Sequence, residues 1–374
     1  MSVSHGPITK AQAAVLRTVG SSFSIEPVNI TPPKGDEVLI KISGVGVCHT
    51  DLVCRDSFPV PLPIILGHEG SGIVEAVGED VVGLAPGDHV VLSFNSCGRC
   101  ANCSDHHPAS CLHMLPMNFG GAERVEGGQI CDSNDEEVRG MFFGQSSFGS
   151  YAIARELNTV KVDSDLAIEL LGPLGCGIQT GAGAVINSLQ LRKGQSLIIF
   201  GCGAVGLSAV MAANALDAGS VLVVEPNEAR RLLAIELGAD RAIDPFTVED
   251  LGAAIREMFP EGANYALDTT GQPNVIASAI DSIISGGVVG MVGMSKPDAM
   301  LPTSLLDLLS KNVTLKPITE GDANPKQFIP HLTQLFKQGE FPFDKLITTY
   351  PFEQINDAMK DAGSGKAIKP VIVF

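Results

Sequence analysis

The sequence predicts an α/β protein with two domains, on two observations. From about residue 196 onward, short apolar segments alternate with segments of helical periodicity, a pattern typical of βαβ units and a parallel sheet. Before about residue 175 the chain is rich in Gly, Pro, Val and Ile and breaks into short strand-like segments, which indicates a β-rich, barrel-like unit. The length of 374 residues fits about two domains.

Predicted elements follow this division. In the first part, strands are expected in EVLIKISGVGV, GHEGSGIVEAVG and PGDHVVLSF. In the second part, strands are expected in SLIIF, VLVVE, RAID, YALDTTG, GGVVGMVGM and VTLKPI, with helices in AVGLSAVMAANALDAG, NEARRLLAIELG, EDLGAAIREMF and NVIASAIDSI. Six strands make a full dinucleotide-binding sheet. A helix in QFIPHLTQLFKQG and a last strand in KPVIVF are expected to return to the first domain.

Composition and charge disfavour several classes of protein. The residues are 45% hydrophobic and 18% charged, which suits a large core. A net charge of −17 argues against a nucleic-acid partner, because phosphates attract Lys and Arg patches. No signal peptide and no membrane span are recognised, so we expect a cytoplasmic protein without a membrane partner. Reduced thiols in that compartment and an odd count of nine cysteines disfavour a disulfide framework.

The hexapeptide GCGAVG, residues 201–206, fits G-x-G-x-x-G directly after SLIIF and at the start of a helix. Gly201 allows the tight turn, Gly203 allows a pyrophosphate to approach the backbone, and Gly206 allows close packing of helix on strand. The motif alone is weak because glycine turns are common, but its context favours a dinucleotide site. Glu225 ends the next strand, where an acid would bind ribose hydroxyls and favour NAD over NADP. The alternative is an ordinary solvated carboxylate.

Two groups of cysteines suggest metal sites. Cys97, Cys100, Cys103 and Cys111 have the spacing C-x2-C-x2-C-x7-C, which suits a closed, structural Zn²⁺ site. Clustered free thiols and an iron–sulfur cluster are the alternatives, but the usual ferredoxin spacings differ, so zinc is preferred.

The second group consists of Cys48 in GVGVCHTD, His68 in GHEGSG and Cys176 in GPLGCG. Two cysteines and one histidine leave one coordination position open, as in catalytic zinc sites. Taken singly, each of the three is more often a structural residue, and only the combination points to a metal.

Together these motifs resemble the zinc-dependent medium-chain alcohol dehydrogenases. GHEGSGIVEAVG looks like the zinc signature of that family, and the Cys-rich lobe, the glycine motif and the Cys176 segment follow in the family's order across essentially the whole chain. CHTDLVCRD, FNSCGRC and IKPVIVF look most like the bacterial aryl-alcohol and geraniol dehydrogenase branch. The resemblance implies a GroES-like catalytic domain over 1–177 and 320–374, which carries both zinc sites, and a Rossmann NAD-binding domain over 178–319.

The resemblance also implies residue roles. Cys48, His68 and Cys176 would hold the catalytic zinc, with Glu69 behind it and Asp51 hydrogen-bonded to His68. The four cysteines of the Cys-rich lobe would hold a structural zinc. Thr50 would take the proton of the alcohol. The implied contacts of the NAD cofactor are His49, Thr180, Gly201, Gly203, Ala204, Val205, Gly206, Glu225, Arg230, Val292 and Lys369.

One position departs from many members of the family. Val53 stands where they carry a histidine that ends the proton relay, so the relay from Thr50 would end on water, His49 or another group. An aliphatic residue at this place is typical of the aryl-alcohol branch.

The substrate is less closely defined by the sequence. The apolar segment with Met114, Leu115, Met117 and Phe119 either lines a substrate channel or packs a loop core. The first option suits geraniol-like or benzylic primary alcohols, oxidised reversibly to aldehydes. A broad-range short-chain or secondary alcohol dehydrogenase, or a non-catalytic NAD-binding protein, are the alternatives. By analogy with the family, we expect a homodimer or homotetramer that pairs edge strands.

Overall fold

The computed structural model describes residues 7–119 and 123–374. Its strands are β1 (Thr9–Leu16), β2 (Ser24–Ile30), β3 (Glu37–Gly46), β4 (Ile64–Ile65), β5 (Gly70–Val77), β6 (His89–Leu92), β7 (Ile130–Cys131), β8 (Tyr151–Arg155), β9 (Thr159–Lys161), β10 (Ser196–Phe200), β11 (Ser220–Val224), β12 (Arg241–Ile243), β13 (Ala263–Asp268), β14 (Ile283–Met291), β15 (Thr314–Pro317), β16 (Ile347–Pro351) and β17 (Lys369–Val373).

The helices complete the secondary structure of this part of the chain. They are α1 (His49–Asp56), α2 (Ala101–Ser104), α3 (Met114–Asn118), α4 (Gly177–Gly183), α5 (Ala204–Ala215), α6 (Glu228–Glu236), α7 (Leu251–Met258), α8 (Pro273–Asp281), α9 (Leu305–Lys311), α10 (Pro325–Lys337) and α11 (Ile355–Ser364). Within the described residues, no helix is both long enough and apolar enough to cross a bilayer.

The chain divides into two compact units. Unit 1 comprises the described residues of Met1–Gly177 together with Asn324–Thr333 and Asp344–Phe374, and unit 2 comprises Ile178–Ala323 and Gln334–Phe343. From the sequence, all of 320–374 was expected in the first domain. Residues 320–323 and 334–343 instead group with unit 2 in the structure.

Unit 1 is the β-rich part of the protein. One sheet has the strand order β4–β1–β2–β7, and a larger one has the order β16–β17–β3–β5–β6–β9, with β8 also paired to β3. The last strand, β17, runs antiparallel to β3, so the C-terminal segment returns to this unit as predicted. Side chains of β1, β3 and β8 fill its core, which includes Val15, Ile40 and Ile153.

Unit 2 contains the predicted parallel sheet. Within residues 178–323, all of which are described, six parallel strands stand in the order β12–β11–β10–β13–β14–β15. This is the doubly wound order, in which the order of successive strands reverses between β10 and β13. The prediction of six strands is therefore confirmed. After their first serine, SLIIF and its neighbour β11 are apolar because helices cover both faces of such a sheet.

Several elements were not predicted from the sequence, among them α9, α11 and β16. Helix α11 buries only Ile355, Ala358 and Met359, so its apolar periodicity is short. Helix α9 has no buried residue, and its start depends on Ser304, whose side chain accepts the backbone N–H of Asp307. Periodicity identifies a helix only when one face is buried over several turns.

Candidate metal and cofactor sites

Four side chains from three separate segments of the sequence meet in unit 1. Ligand atoms of Cys48, His68, Glu69 and Cys176 lie within 4.8 Å of one another. Cys48 caps the N-terminus of α1, His68 and Glu69 immediately precede β5, and Cys176 follows the 3₁₀ turn Gly172–Gly175. His68 and Glu69 are fully buried. The sheet and the adjoining turns thus assemble the set that the sequence analysis named.

Glycines on either side of His68 and Glu69 make room for a neighbouring loop. Gly67 has φ +85°, and a Cβ there would lie 2.6 Å from the backbone nitrogen of Phe148. A Cβ on Gly70 would lie 2.6 Å from Cβ of Ser147. Both contacts are closer than a Cβ tolerates, so the close approach of this loop explains Gly67 and Gly70.

Asp51 holds two of the predicted ligands. Its Oδ1 lies 3.0 Å from Nδ1 of His68 and accepts the backbone N–H of Gly67 at 3.1 Å, while its Oδ2 accepts the backbone N–H of Cys48 at 3.0 Å. A carboxylate on Nδ1 fixes the imidazole so that Nε2 is the atom presented to a metal.

The donor set fits a zinc ion. Nε2 of His68 is buried and has no hydrogen-bond partner among the described residues, which is costly for a buried polar atom unless a ligand binds there. Neighbouring Cys176, and after it His68, lower the pKa of the Cys48 thiol well below its ordinary value, against the opposing effect of burial. Zinc binds thiolates and imidazole nitrogen.

Lys369 lies behind this set and not in open solvent. Its Nζ donates to both carboxylate oxygens of Glu69, at 2.7 and 2.8 Å, and lies 3.3 Å from the carbonyl of Val47. Glu69 also accepts the backbone N–H of Gly177. Burial raises the pKa of Glu69, and the charge of Lys369 opposes that rise. Because its ammonium is engaged here, the pyrophosphate contact of Lys369 stays a prediction.

The residues implied in the proton relay lie at the start of α1. Oγ1 of the half-buried Thr50 is 3.8 Å from Sγ of Cys48. His49 is exposed, and Val53 lies one turn further along the same helix, half-buried. Thr50 therefore lies beside the metal ligands and His49 lies toward solvent.

Aromatic side chains surround the imidazole of His68, and the sequence analysis missed most of them. The ring of Phe143 stacks on His68 with centroids 4.5 Å apart, and Phe142 meets it edge-on at 5.5 Å. Phe119 contacts both phenylalanines, and Phe58 contacts Phe119. We call Phe58, Phe119, Phe142 and Phe143 the aromatic wall. The glycine-flanked pair in GMFFG was the available signal.

The segment after the Cys-rich lobe is divided in its environment. Met114 and Phe119 pack against the core of unit 1, and Met117 is half-buried. Leu115 is 66% exposed, so it does not belong to that apolar surface.

The Cys-rich lobe also assembles a possible metal site. The sulfur atoms of Cys97, Cys100, Cys103 and Cys111 lie within 4.8 Å of one another. Backbone N–H groups of Cys97 and His113 point at Sγ of Cys111, at 3.3 and 3.4 Å. Backbone N–H donors at Cys103 and Leu112 lower the pKa of Cys100 to about 6, which favours the thiolate. The Sγ atoms of Cys97 and Cys103 are 3.9 Å apart, too far for a disulfide.

The glycine motif of unit 2 has the backbone that it requires. Gly201 has φ +91°, a conformation that side chains rarely adopt. A Cβ on Gly206 would lie 1.9 Å from the carbonyl oxygen of Gly201, so helix α5 packs against the turn only with glycine here. A Cβ on Gly203 would meet nothing within 4 Å, which leaves open space over the turn. Ala204 and Val205 form the first turn of α5.

Glu225 is tied to this turn. Its carboxylate accepts the backbone N–H of Cys202 at 2.6 Å and that of Asn227 at 2.9 Å, and the residue is only 4% exposed. The alternative of a solvated strand-end carboxylate therefore does not describe Glu225. A carboxylate oxygen accepts more than one hydrogen bond, so the ribose contact stays open to Glu225.

The other implied cofactor residues lie in unit 2. Thr180 is buried in α4, and Arg230 is half-buried in α6, where its backbone N–H is capped by Asn227. Val292 follows β14 and donates its backbone N–H to the carbonyl of Asp268. Their contacts with a cofactor stay predictions.

Comparisons with known proteins agree with this arrangement. The family described as "Alcohol dehydrogenase GroES-like domain" matches residues 34–164, and that described as "Zinc-binding dehydrogenase" matches residues 204–338. The chain is 65% identical over 364 residues to the geraniol dehydrogenase of Castellaniella defragrans, covering 97% of this chain and 98% of that enzyme.

Solved structures show the same fold. An alcohol dehydrogenase zinc-binding domain protein from Burkholderia ambifaria is 50% identical and superposes with a TM-score of 0.95, covering 98% of this chain and all of that one. The benzyl alcohol dehydrogenase of Acinetobacter calcoaceticus is 45% identical, with a TM-score of 0.94, covering 98% of this chain and 99% of that one. The GroES-like and Rossmann domains expected from the sequence are thus confirmed. The chain belongs to the zinc-dependent alcohol dehydrogenases, oxidoreductases that act on small-molecule alcohols with a nicotinamide cofactor.

Proposed function

We propose that this enzyme oxidises primary allylic or benzylic alcohols to aldehydes, reversibly and with NAD. The observation that carries the proposal is the aromatic wall around His68, in particular Phe143 stacked on the imidazole at 4.5 Å. Aromatic rings pack favourably against phenylalanine faces and edges, and the apolar alkene of an allylic alcohol suits the same apolar lining. Relatives at 65% and 45% identity, a geraniol and a benzyl alcohol dehydrogenase, act on alcohols of these two kinds.

Two zinc ions per subunit form part of the proposal. Cys48, His68 and Cys176 would hold the catalytic ion, with Glu69 next to it, and Cys97, Cys100, Cys103 and Cys111 would hold the structural ion. When bound, the catalytic zinc would supply the Lewis acidity that lowers the pKa of an alcohol hydroxyl, and the nicotinamide would supply the hydride acceptor.

Side chains of the protein would handle the proton. Thr50 lies beside Cys48, close enough to the metal ligands to accept the proton of the alcohol. The proton then passes outward to solvent, either directly or through the exposed His49, since Val53 cannot carry it. Asp51 keeps His68 oriented through its Nδ1 during the reaction.

The preference for NAD would come from Glu225. Its carboxylate lies at the end of β11 and is held against the glycine turn by the N–H of Cys202. A buried carboxylate at this place accepts hydrogen bonds from the ribose hydroxyls and repels a 2′-phosphate.

We also propose a homodimer or homotetramer that associates through unit 2. Strand β15 is an edge of the parallel sheet, and Met300, Leu305, Leu306 and Leu309 beside it in the sequence are all more than 70% exposed. An unpaired edge next to exposed leucines is the kind of surface that a second copy covers. A cytoplasmic location stays a prediction from the sequence.

The test is NADH formation by the purified protein with geraniol, benzyl alcohol, ethanol and 2-propanol, each repeated with NADP. We expect the highest kcat/KM with geraniol or benzyl alcohol, and with NAD. Preference for ethanol or 2-propanol would refute the substrate class and favour a broad-range enzyme. Cys48→Ser should abolish turnover, and its unchanged activity would refute the metal site.

A further inference from the structure

Gln145 is a buried amide whose role no sequence motif indicates. It lies in the segment Phe142–Phe148, which we call the 142–148 loop, and its side chain is fully buried. A carboxamide offers two N–H donors and an oxygen with two acceptor sites. All four are used here, so the side chain is held in one orientation.

The hydrogen bonds of Gln145 hold the backbone on both sides of Glu69, next to His68. Its Nε2 donates to the carbonyl oxygen of His68 at 2.9 Å and to that of Ser93 at 3.1 Å. Its Oε1 accepts the backbone N–H of Gly70 at 3.0 Å and the hydroxyl of Ser147 at 2.9 Å. The carbonyl of His68 and the N–H of Gly70 are the backbone groups on either side of Glu69. One side chain therefore fixes the peptide units that carry both His68 and Glu69.

The loop that delivers Gln145 has an unfavourable backbone. Phe143 has φ 51° and Ser146 has φ 47°, left-handed values that are unfavourable for non-glycine residues. Such conformations persist only where surrounding contacts determine them. Here the hydroxyl of Ser146 donates to the carbonyl of Ile65 at 2.6 Å and accepts the N–H of Phe142 at 2.9 Å.

The same loop reaches His68 from two directions. Phe143 stacks on the face of its imidazole, and Gln145 bonds its carbonyl. The backbone N–H of Ser147 donates to Gly67, next to His68. The 142–148 loop thus places the ring of Phe143 on the side chain of His68 and the amide of Gln145 on its backbone.

We propose that Gln145 is a positioning residue that sets the zinc affinity of the Cys48–His68–Cys176 site by fixing the backbone of His68 and Glu69. The inference rests on the proposed function, since it requires that these three residues hold zinc. The four hydrogen bonds of Gln145 reach backbone groups and the Ser147 hydroxyl, and none of the sulfur or imidazole atoms that would bind the metal, so it acts through the backbone of His68 and Glu69. Second-layer partners of this kind change metal affinity by about 10–100-fold.

Gln145→Glu is the test variant. It keeps the shape of the side chain but turns a donor that faces two carbonyl oxygens into an acceptor. Asn356→Asp is the matched control, because Asn356 makes a similar clamp in unit 1, with Oδ1 on the N–H of Phe23 and Nδ2 on its carbonyl, both at 3.0 Å. Ser147→Ala removes one of the four bonds of Gln145 and gives a milder change at the same amide.

The measurement is the zinc affinity of each site in the holoenzyme, by competition with a chelator, together with the melting temperature. The Cys48→Ser variant identifies which component belongs to the catalytic site. We expect Gln145→Glu to weaken that component about 10–100-fold and to leave the Cys-rich lobe unchanged. Ser147→Ala should weaken it less, and Asn356→Asp should lower only the melting temperature.

Two results would overturn the inference. One is a catalytic-site affinity within twofold of wild type in both Ser147→Ala and any folded Gln145→Glu protein. The other is an equal loss of zinc affinity at the catalytic site in Asn356→Asp, because the loss would then reflect the general stability of the protein. If Cys48→Ser still shows both zinc components, the proposed metal site itself is wrong, and that failure is distinguishable from the failure of Gln145.

Discussion

Asp51→Asn tests whether the geometry around His68 controls the metal site. Asp51 is fully buried, and its carboxylate accepts three hydrogen bonds, from Nδ1 of His68, from the N–H of Gly67 and from the N–H of Cys48. Asparagine has the same shape but carries an NH₂ group in place of one oxygen. In either orientation of the amide, at least one buried N–H loses its acceptor.

The size of the effect follows from these contacts. One buried donor without a partner costs about 1–3 kcal/mol of stability. The loss of a carboxylate from a ligand histidine costs about 10–100-fold in metal affinity or activity, which corresponds to roughly 1.4–2.7 kcal/mol at 1.36 kcal/mol per tenfold change. We therefore expect a zinc affinity reduced by one to two orders of magnitude and a lowered melting temperature.

The assay measures zinc affinity, melting temperature and kcat/KM for benzyl alcohol at saturating zinc. Asp88→Asn is the control, because Asp88 also caps a turn, through the N–H of Ala85 at 2.9 Å, and pairs with Lys161 at 2.6 Å at the surface of unit 1. Such a surface pair contributes about 0–1 kcal/mol. If Asp51→Asn binds zinc within twofold of wild type, or if Asp88→Asn loses as much, the role given to Asp51 is refuted.

Three further predictions concern other parts of the molecule. Cys103→Ser should lower the zinc content, measured by metal analysis, from two ions to one per subunit and reduce the melting temperature. Its kcat at 25 °C should stay within a few-fold of wild type. Two retained zinc ions would contradict the assignment of the Cys-rich lobe. Arg124→Met should lower the free energy of unfolding in urea by about 3–5 kcal/mol. The reason is that the buried carboxylate of Glu37, which Arg124 binds at 2.8 and 3.1 Å, loses its charged partner. A loss below about 1 kcal/mol would show that this ion pair is replaceable. Gly203→Ala should weaken NADH binding, measured by fluorescence titration, without lowering the melting temperature. Gly206→Ala should lower both the NADH affinity and the melting temperature, because its Cβ would lie 1.9 Å from the carbonyl oxygen of Gly201. Equal melting temperatures in the two variants would refute this distinction.

Much of the architecture could be predicted because its signals are local. The strands and helices around GCGAVG follow one another within short stretches, and burial of both faces of the parallel sheet gives continuous apolar runs such as SLIIF. The spacing of Cys97, Cys100, Cys103 and Cys111 could be interpreted in the same way, because one short loop brings the four sulfur atoms together.

Elements and contacts without such signals were missed. Helix α9 has no buried face, so nothing in its periodicity distinguishes it from a loop. The engagement of Lys369 with Glu69 joins two segments 300 residues apart in the sequence and could not be inferred from either one.

The sequence alone determined the two domains, the candidate ligands and the glycine turn, since each depends on residue types at fixed short spacings. Only the tertiary structure decided how the ligands are held: Phe143 against the imidazole of His68, Gln145 on either side of Glu69, and Lys369 behind it. The physical reason is that the effect of a buried phenylalanine, glutamine or lysine depends on the groups around it, and folding brings those groups from distant parts of the chain.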